Sequence, residues 1–365
     1  MIKTKKRISK YGEVFTSERE VQAMLNLVEH ETQRIDAKFF EPACGNGNFL
    51  IEVLKRKLKI VRDRYSKIQS DFEKYSILAF SNIYGIDILE DNVIACRQRL
   101  FKQFEKIYRG LFAKINDDVL RAVIFVLSLN ITYGNTLTFK SPNSEKPVFF
   151  PEWGFTTANF VKLTDYTFSN LLALKLINSQ TRYKIKNMKF DVIIGNPPYQ
   201  LETGGSNRQA TPIYNKFIEQ ARKLNPRYLT MIIPARWYAG GMGLKNFRKS
   251  MISDKRIKEL HDFPVTSDCF PGINIRGGVC YFLWSRDYEG ACDVYNWNNG
   301  KSNKMQRYLN EYGDGVFLRY NSAISILSKV QKLFEPTFER YVSSQKPFGL
   351  PTNFSEYSEQ RTNIN

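Results

Sequence analysis

The run Phe190-Asp191-Val192-Ile193-Ile194-Gly195 is followed at once by Asn196-Pro197-Pro198-Tyr199. This junction constrains the fold more than any other stretch. Val-Ile-Ile bounded by Gly reads as a short buried strand. Two consecutive prolines offer no N–H to a sheet ladder, so the strand has to stop and a stiff loop has to begin. Six further apolar runs, at 38–40, 82–87, 129–132, 228–233, 259–263 and 278–284, alternate with helical patterns. Together with 189–194 they predict seven strands in a doubly wound, Rossmann-like α/β sheet. Ligands bind at the carboxyl ends of strands in such sheets. There the loop at 196–199 offers an amide, a rigid proline carbonyl and an aromatic ring, a set suited to holding a planar group that bears an NH2. By itself the quartet reads equally well as a plain strand-to-loop turn.

The helical patterns are clearest near the amino terminus. Ser17 is placed to cap a helix, with Glu20 completing a capping box and Val21, Leu25 and Val28 on one face. A second helix is expected over 49–62, with Leu50, Val53, Leu54, Leu58 and Val61 inward, and a third over 94–107. Residues 141–188 are long for a connection and read as an insertion near the site. Past Trp297 the composition turns to Asn, Gly, Lys and Ser, which predicts a linker. The expected division is a catalytic domain over 1–297 and a second, incomplete region over 298–365.

Charge and cysteine usage narrow the class. Lys and Arg total 54 against 36 acidic residues, a net charge of +18 that favours a polyanion, most simply nucleic acid. The five cysteines form no CxxC pair and there are only two histidines, His30 and His261. That argues for a reducing compartment and against a disulfide frame, a metal site or a histidine triad. The basic start is not followed by an apolar h-region, and no run approaches a membrane span. A soluble, cytoplasmic protein is expected.

Three strand ends carry the remaining chemistry. The first runs into Glu41-Pro42-Ala43-Cys44-Gly45-Asn46-Gly47-Asn48, where two glycines let the backbone pass close to a ligand. The third glycine of a dinucleotide fingerprint is missing, and Glu41 favours a cation such as an ammonium over a pyrophosphate. The second strand ends in Asp87, placed to take the hydroxyls of a ribose. The third ends at Gly134-Asn135, whose amide suits an adenine edge. An adenosine with a positively charged amino-acid tail fits all three, which describes S-adenosylmethionine.

The Glu-Pro-Ala-Cys-Gly-Asn-Gly-Asn-Phe run, Asp87 and Asn-Pro-Pro-Tyr in this order resemble the γ-class N6-adenine DNA methyltransferases of restriction–modification systems. Within these the chain resembles the Eco57I-like type II methylases. The 10–17 segment and 226–237 resemble further parts of that family, over about residues 10–297 in all, and 343–349 resembles the start of its target-recognition domain. The resemblance implies a class I S-adenosylmethionine-dependent methyltransferase fold. It sets the cofactor against Phe15, Thr16, Glu41, Ala43, Cys44, Gly45, Gly47, Asp87, Ile88, Asn135 and Asn196. Asn135 departs from the acidic residue that many relatives carry.

The chemistry implied is methylation of an adenine amine by Asn196, Pro197, Pro198 and Tyr199. The amine is a poor nucleophile because its lone pair is delocalised into the ring. Accepting its two hydrogens at Asn196 Oδ1 and the Pro197 carbonyl frees that pair for in-line displacement. A base in a duplex has to be flipped out, with Tyr199 stacked on one face and, by the resemblance, Phe270 on the other. Candidates for phosphate contacts are Arg236, Lys245, Arg248, Lys249 and Arg276. A cytosine-C5 enzyme is disfavoured, since none of the five cysteines follows a proline. The expected partners are double-stranded DNA and a cognate restriction endonuclease or separate specificity subunit, with no membrane and no metal. An RNA adenine or protein glutamine methyltransferase and a truncated, non-catalytic DNA-binding remnant are the alternatives.

Overall fold

All seven apolar runs form strands in the computed structural model, which describes residues 16–153, 182–184, 189–201, 211–273, 275–311, 317–333 and 341. In chain order the strands are β1 (Phe39–Glu41), β2 (Ile83–Asp87), β3 (Ile131–Tyr133), β4 (Phe149–Pro151), β5 (Arg182–Lys184), β6 (Val192–Gly195), β7 (Gln200–Leu201), β8 (Thr211–Pro212), β9 (Tyr228–Pro234), β10 (Ile257–Phe263), β11 (Val279–Ser285), β12 (Cys292–Asn298) and β13 (Lys301–Arg307). Nine of them make the main sheet, in the order β13-β12-β10-β11-β9-β6-β1-β2-β3. The run from β9 through β6, β1 and β2 to β3 is parallel. β11 inserts antiparallel between β9 and β10. The strand order reverses between β1 and β6, and the carboxyl ends of strands at such a reversal leave a crevice.

Alternate residues of each strand serve opposite faces. Phe39, Val192 and Ile194 join one core, with the helices Glu18–Asn26, Asn48–Tyr65, Gln69–Ser81, Glu90–Leu111 and Asp117–Asn130. Phe40, Ile193 and Tyr84 join the other, with Tyr214–Lys223 and Lys245–Ile252. Burial on both faces explains why the central strands read as unbroken apolar runs. The helix Gln69–Ser81 carried no clear periodic signal, because its last six residues are all buried and leave no polar face. Ser17 is the N-cap of Glu18–Asn26 as expected, but its hydroxyl bonds the Glu20 carboxylate instead of a backbone N–H.

The sheet has two strands more than expected. Residues 298–307 are not a linker: β12 turns at Asn299-Gly300 into β13, with Asn298 facing Lys301. Both turn residues have positive φ, +50° and +74°, the signature of the two-residue hairpin turn that matches strand twist. The compact unit containing the sheet runs on to Arg319, past the expected boundary at 297. A second unit, 320–365, contains the helix Asn321–Gln331; the 343–349 stretch lies outside the described residues. Inside the expected insertion, β4 and β5 pair antiparallel, and 154–181 and 185–188 lie outside the described residues. Among the described residues no helix is long and apolar enough to cross a membrane.

Candidate active site

The turn after β1 is built from its own backbone and from β2. The Cys44 N–H donates to the Ile86 carbonyl at 2.9 Å and the Gly47 N–H to the Cys44 carbonyl at 2.7 Å. The Gly45 N–H donates to Asp87 Oδ2 at 2.8 Å. Asp87 Oδ1 accepts the Leu89 N–H at 2.9 Å and Asn92 Nδ2 at 3.0 Å. The carboxylate expected at a ribose therefore also shapes the turn that would lie under it. Gly47 has φ +85°, and a Cβ there would fall 2.5 Å from Cys96 Sγ; no larger residue fits between turn and helix. Ala43 and Gly45 are half-buried, Cys44 is buried, and Ile88 is exposed beside Asp87.

Glu41 is the unusual group of the crevice. It is buried, and Oε2 has no hydrogen-bond partner. Burial, then unfavourable electrostatics with Cys96 and Asp87, holds its carboxyl well above the ordinary range, against the pull of the Leu50 N–H. A buried carboxyl with an unmet oxygen suits a cationic or N–H-bearing ligand. A Cβ on Gly195 would lie 3.3 Å from Glu41 Cγ, so the ends of β1 and β6 meet.

The 196–199 loop leaves β6 at that meeting point. Asn196 Nδ2 donates to Thr16 Oγ1 at 3.0 Å, and Asn48 Nδ2 donates to the Thr16 carbonyl at 3.2 Å. The amide expected to grip an amine is thus joined through Thr16 to the residue after the glycine turn. Pro197 is buried and Pro198 half-buried. Tyr199 is buried; desolvation and nearby Cys269 push its hydroxyl well up. Phe15 lies outside the described residues.

Two sequence candidates have structural duties. Asn135 Oδ1 accepts the Leu137 N–H at 2.9 Å and so closes its own turn. The next residue, Thr136, donates to the Pro42 carbonyl and ties this loop to the turn after β1. Phe270 is only 2% exposed, in one core with Cys269, Val279 and Tyr281. Covering a base with it requires the 266–272 loop to move.

Arg236, Arg248 and Arg276 converge, with Arg319, on a pocket of about 620 Å³ beyond the carboxyl end of β9. Arg319 grips the buried Asp262 with two 2.8 Å bonds. Burial raises the Asp262 pKa, and Arg319 pulls it back. Lys245 and Lys249 are exposed outside this pocket. His261 is structural: Trp297 Nε1 donates to its Nδ1 at 3.2 Å, and the ring stacks between Tyr281 and Tyr295. His30 packs edge-on against Tyr228. Among the described residues no cluster of His, Cys, Asp and Glu could hold a metal. Sequence reasoning missed Asn92, five residues from its partner Asp87, and Asn48, Arg99, Thr136 and Arg319, whose partners are distant in the chain.

This sheet, with its order reversal and antiparallel insertion, is the class I methyltransferase fold. The family described as Eco57I restriction-modification methylase matches residues 81–270, which include Asp87, Asn196–Tyr199 and Phe270. An uncharacterized adenine-specific methylase of Mycoplasma pneumoniae is 30% identical over 300 residues, spanning 76% of this chain and 68% of that one. The type II restriction enzyme and methyltransferase RM.Eco57I of Escherichia coli is 28% identical over 263 residues, 63% of this chain but 23% of that enzyme. Among solved structures, a modification subunit of a putative type I restriction enzyme from Vibrio vulnificus aligns at TM-score 0.45 and 12% identity, over 89% of this chain and 54% of that one. A nuclease-deletion mutant of the type ISP enzyme LlaGI, with a DNA substrate mimic, aligns at 0.49 and 14%, over 87% of this chain and 25% of that one. The chain belongs to the Eco57I restriction-modification methylase family.

Proposed function

We propose that this methylase transfers a methyl group from S-adenosylmethionine to N6 of an adenine flipped out of duplex DNA. One observation carries the reading. The amide-proline loop after β6 and the glycine turn after β1 flank one crevice, joined by the Asn196–Thr16–Asn48 bonds and by Gly195 against Glu41. The name of the Mycoplasma pneumoniae relative supports an adenine target.

The residues fit the cofactor. Glu41, with its unmet Oε2, would face the cationic methionine end, and the Gly45–Gly47 backbone would pass beneath it. Asp87 would meet the ribose while holding the Gly45 N–H. Thr16, Ala43, Cys44, Ile88 and Asn135 line or brace the same end of the sheet. When bound, S-adenosylmethionine supplies an electrophilic methyl on a sulfonium, which keeps the bonding pair as a neutral thioether when the carbon passes to nitrogen.

With Nδ2 turned to Thr16, Asn196 Oδ1 would accept one amine hydrogen and the Pro197 carbonyl the other, exposing the lone pair of N6. The proton that N6 sheds leaves to water. Pro198 stiffens the loop and Tyr199 would stack on the base. The arginine pocket at the same sheet end, with Lys245 nearby in sequence, would hold phosphates. A target-recognition role for the region from Tyr320 onward, a cytoplasmic location and a nuclease or specificity-subunit partner belong to this reading.

Incubation with methyl-labelled cofactor and duplex DNA, RNA or protein tests it. Label should enter adenine N6 of DNA, and Asn196→Ala should cut turnover roughly a hundredfold or more with cofactor affinity retained. Label in RNA or protein but not DNA would overturn the proposal, as would an active Asn196→Ala enzyme.

A further inference from the structure

A chain of side chains behind Asn196 reaches well beyond the reacting groups. Arg99 projects from the middle of the Glu90–Leu111 helix. Its guanidinium donates to the Asn46 carbonyl at 2.7 Å and to Asn48 Oδ1 at 2.9 Å. With its oxygen occupied by Arg99, the Asn48 amide turns Nδ2 toward the Thr16 carbonyl, 3.2 Å away. Thr16, 5% exposed, in turn receives Asn196 Nδ2 on its hydroxyl at 3.0 Å.

Arg99 selects the orientation of Asn48, Asn48 anchors the Thr16 backbone, and the Thr16 hydroxyl holds the Asn196 side chain. An arginine only donates, so the atom of Asn48 facing it has to be oxygen, and the atom facing Thr16 has to be nitrogen. That amide bond anchors the Thr16 backbone, and the hydroxyl of Thr16 is where Asn196 places its nitrogen. A primary amide flipped end for end would present N–H groups, not a carbonyl, to an incoming amine. The loop Asn196 stands on is stiff, but the prolines do not restrict the rotation of its side chain.

We propose that Arg99, Asn48 and Thr16 are positioning residues that hold the Asn196 amide in place for the target amine. This rests on the assignment of Asn196 as the amine acceptor. None of the three need touch the base. Because Asn46 and Asn48 flank Gly47, the same relay makes the amide orientation depend on the shape of the turn after β1.

The test compares full-length wild type with Thr16→Val, Thr16→Ser and Arg99→Leu, all checked for unchanged melting. In single-turnover assays with saturating cofactor and DNA, Thr16→Val should lower the transfer rate roughly tenfold. The dissociation constant of DNA should stay within about twofold, and Thr16→Ser should recover most of the loss. Arg99→Leu should lower the same rate, and adding it to Thr16→Val should lose little more, because both cut one chain. An independent readout is the side-chain NH2 of Asn196 in protein labelled with 15N-asparagine, assigned by its disappearance in Asn196→Asp. Its hydrogens should exchange slowly in the wild type and in Thr16→Ser, and faster in Thr16→Val and Arg99→Leu. Equal transfer rates in wild type and Thr16→Val, or exchange that the substitutions do not alter, would overturn the relay. Transfer that survives Asn196→Ala while the exchange pattern holds would instead remove Asn196 as acceptor, and with it the part the relay plays in transfer.

Discussion

Glu41 and Lys57 are the residues at which burial works hardest against charge, and they do so for different ends. Glu41 keeps an unmet oxygen in the crevice and a carboxyl pKa held well up by desolvation. An acid whose folded pKa is raised binds its proton more tightly in the native state, so native stability falls as pH rises through the unfolded value of 4.5. Glu41→Gln removes that penalty. The empty protein should gain about 1 kcal/mol at pH 7 in urea unfolding, while cofactor affinity falls roughly tenfold or more by calorimetry. Stability lost in the empty protein would mean that the carboxylate is structural. Lys57 is fully buried and bonds the Ile35 carbonyl at 2.9 Å and the Ala37 carbonyl at 2.5 Å. Burial lowers its pKa to about 7. Between about 7 and the ordinary 10.5 the unfolded chain holds the proton that the folded one has lost, so stability should rise with pH across that window. The stability difference between wild type and Lys57→Met should therefore shift toward wild type, by on the order of 2 kcal/mol, between pH 6.5 and 9.5. A difference independent of pH would rule this out.

At the scale of elements, strands were legible where both faces are apolar and lost where one face is polar. The central runs announce themselves because every residue is buried. β13, with Lys301, Ser302, Asn303, Lys304 and Gln306, carries the charged and polar face of an edge strand. Its composition hid it, although Asn299-Gly300 is a strong hairpin signal. Gly300→Val, with φ +74° at that position, should cost about 1–2 kcal/mol in thermal or urea unfolding. Asn299→Gly should cost far less, since glycine accepts the same backbone. An unaffected Gly300→Val protein would show that β13 contributes little to the sheet. Helix Gln69–Ser81 was illegible for the opposite reason: it is buried nearly all round at its end, so no amphipathic stripe marks it.

At the scale of the whole molecule the charge excess of +18 acquires a local meaning. Among the described residues, the Asp262 carboxylate serves Arg319, and no ion pair is formed by Arg236, Arg248 or Arg276. If these three contact phosphates, replacing all of them with Gln should flatten the slope of log affinity for duplex DNA against log salt by about 2–3. Affinity should fall for every DNA sequence alike. An unchanged slope would place the DNA track elsewhere.

The sequence alone was enough for the seven apolar strands, the crevice at their carboxyl ends and the residue types gathered there. These depend on local pattern: period, breakers and the chemistry of a strand's last residues. Which groups touch was a tertiary matter. Thr16 against Asn196, Arg99 against Asn48, Thr136 against Pro42 and Arg319 against Asp262 join residues 51 to 180 positions apart. The burial that raised the Glu41 pKa and enclosed Phe270 belongs to the same level. Hydrogen bonds of this kind are formed by polar side chains whose local sequence shows only a residue able to donate or accept. The partner is chosen when packing brings distant loops to the same end of one sheet.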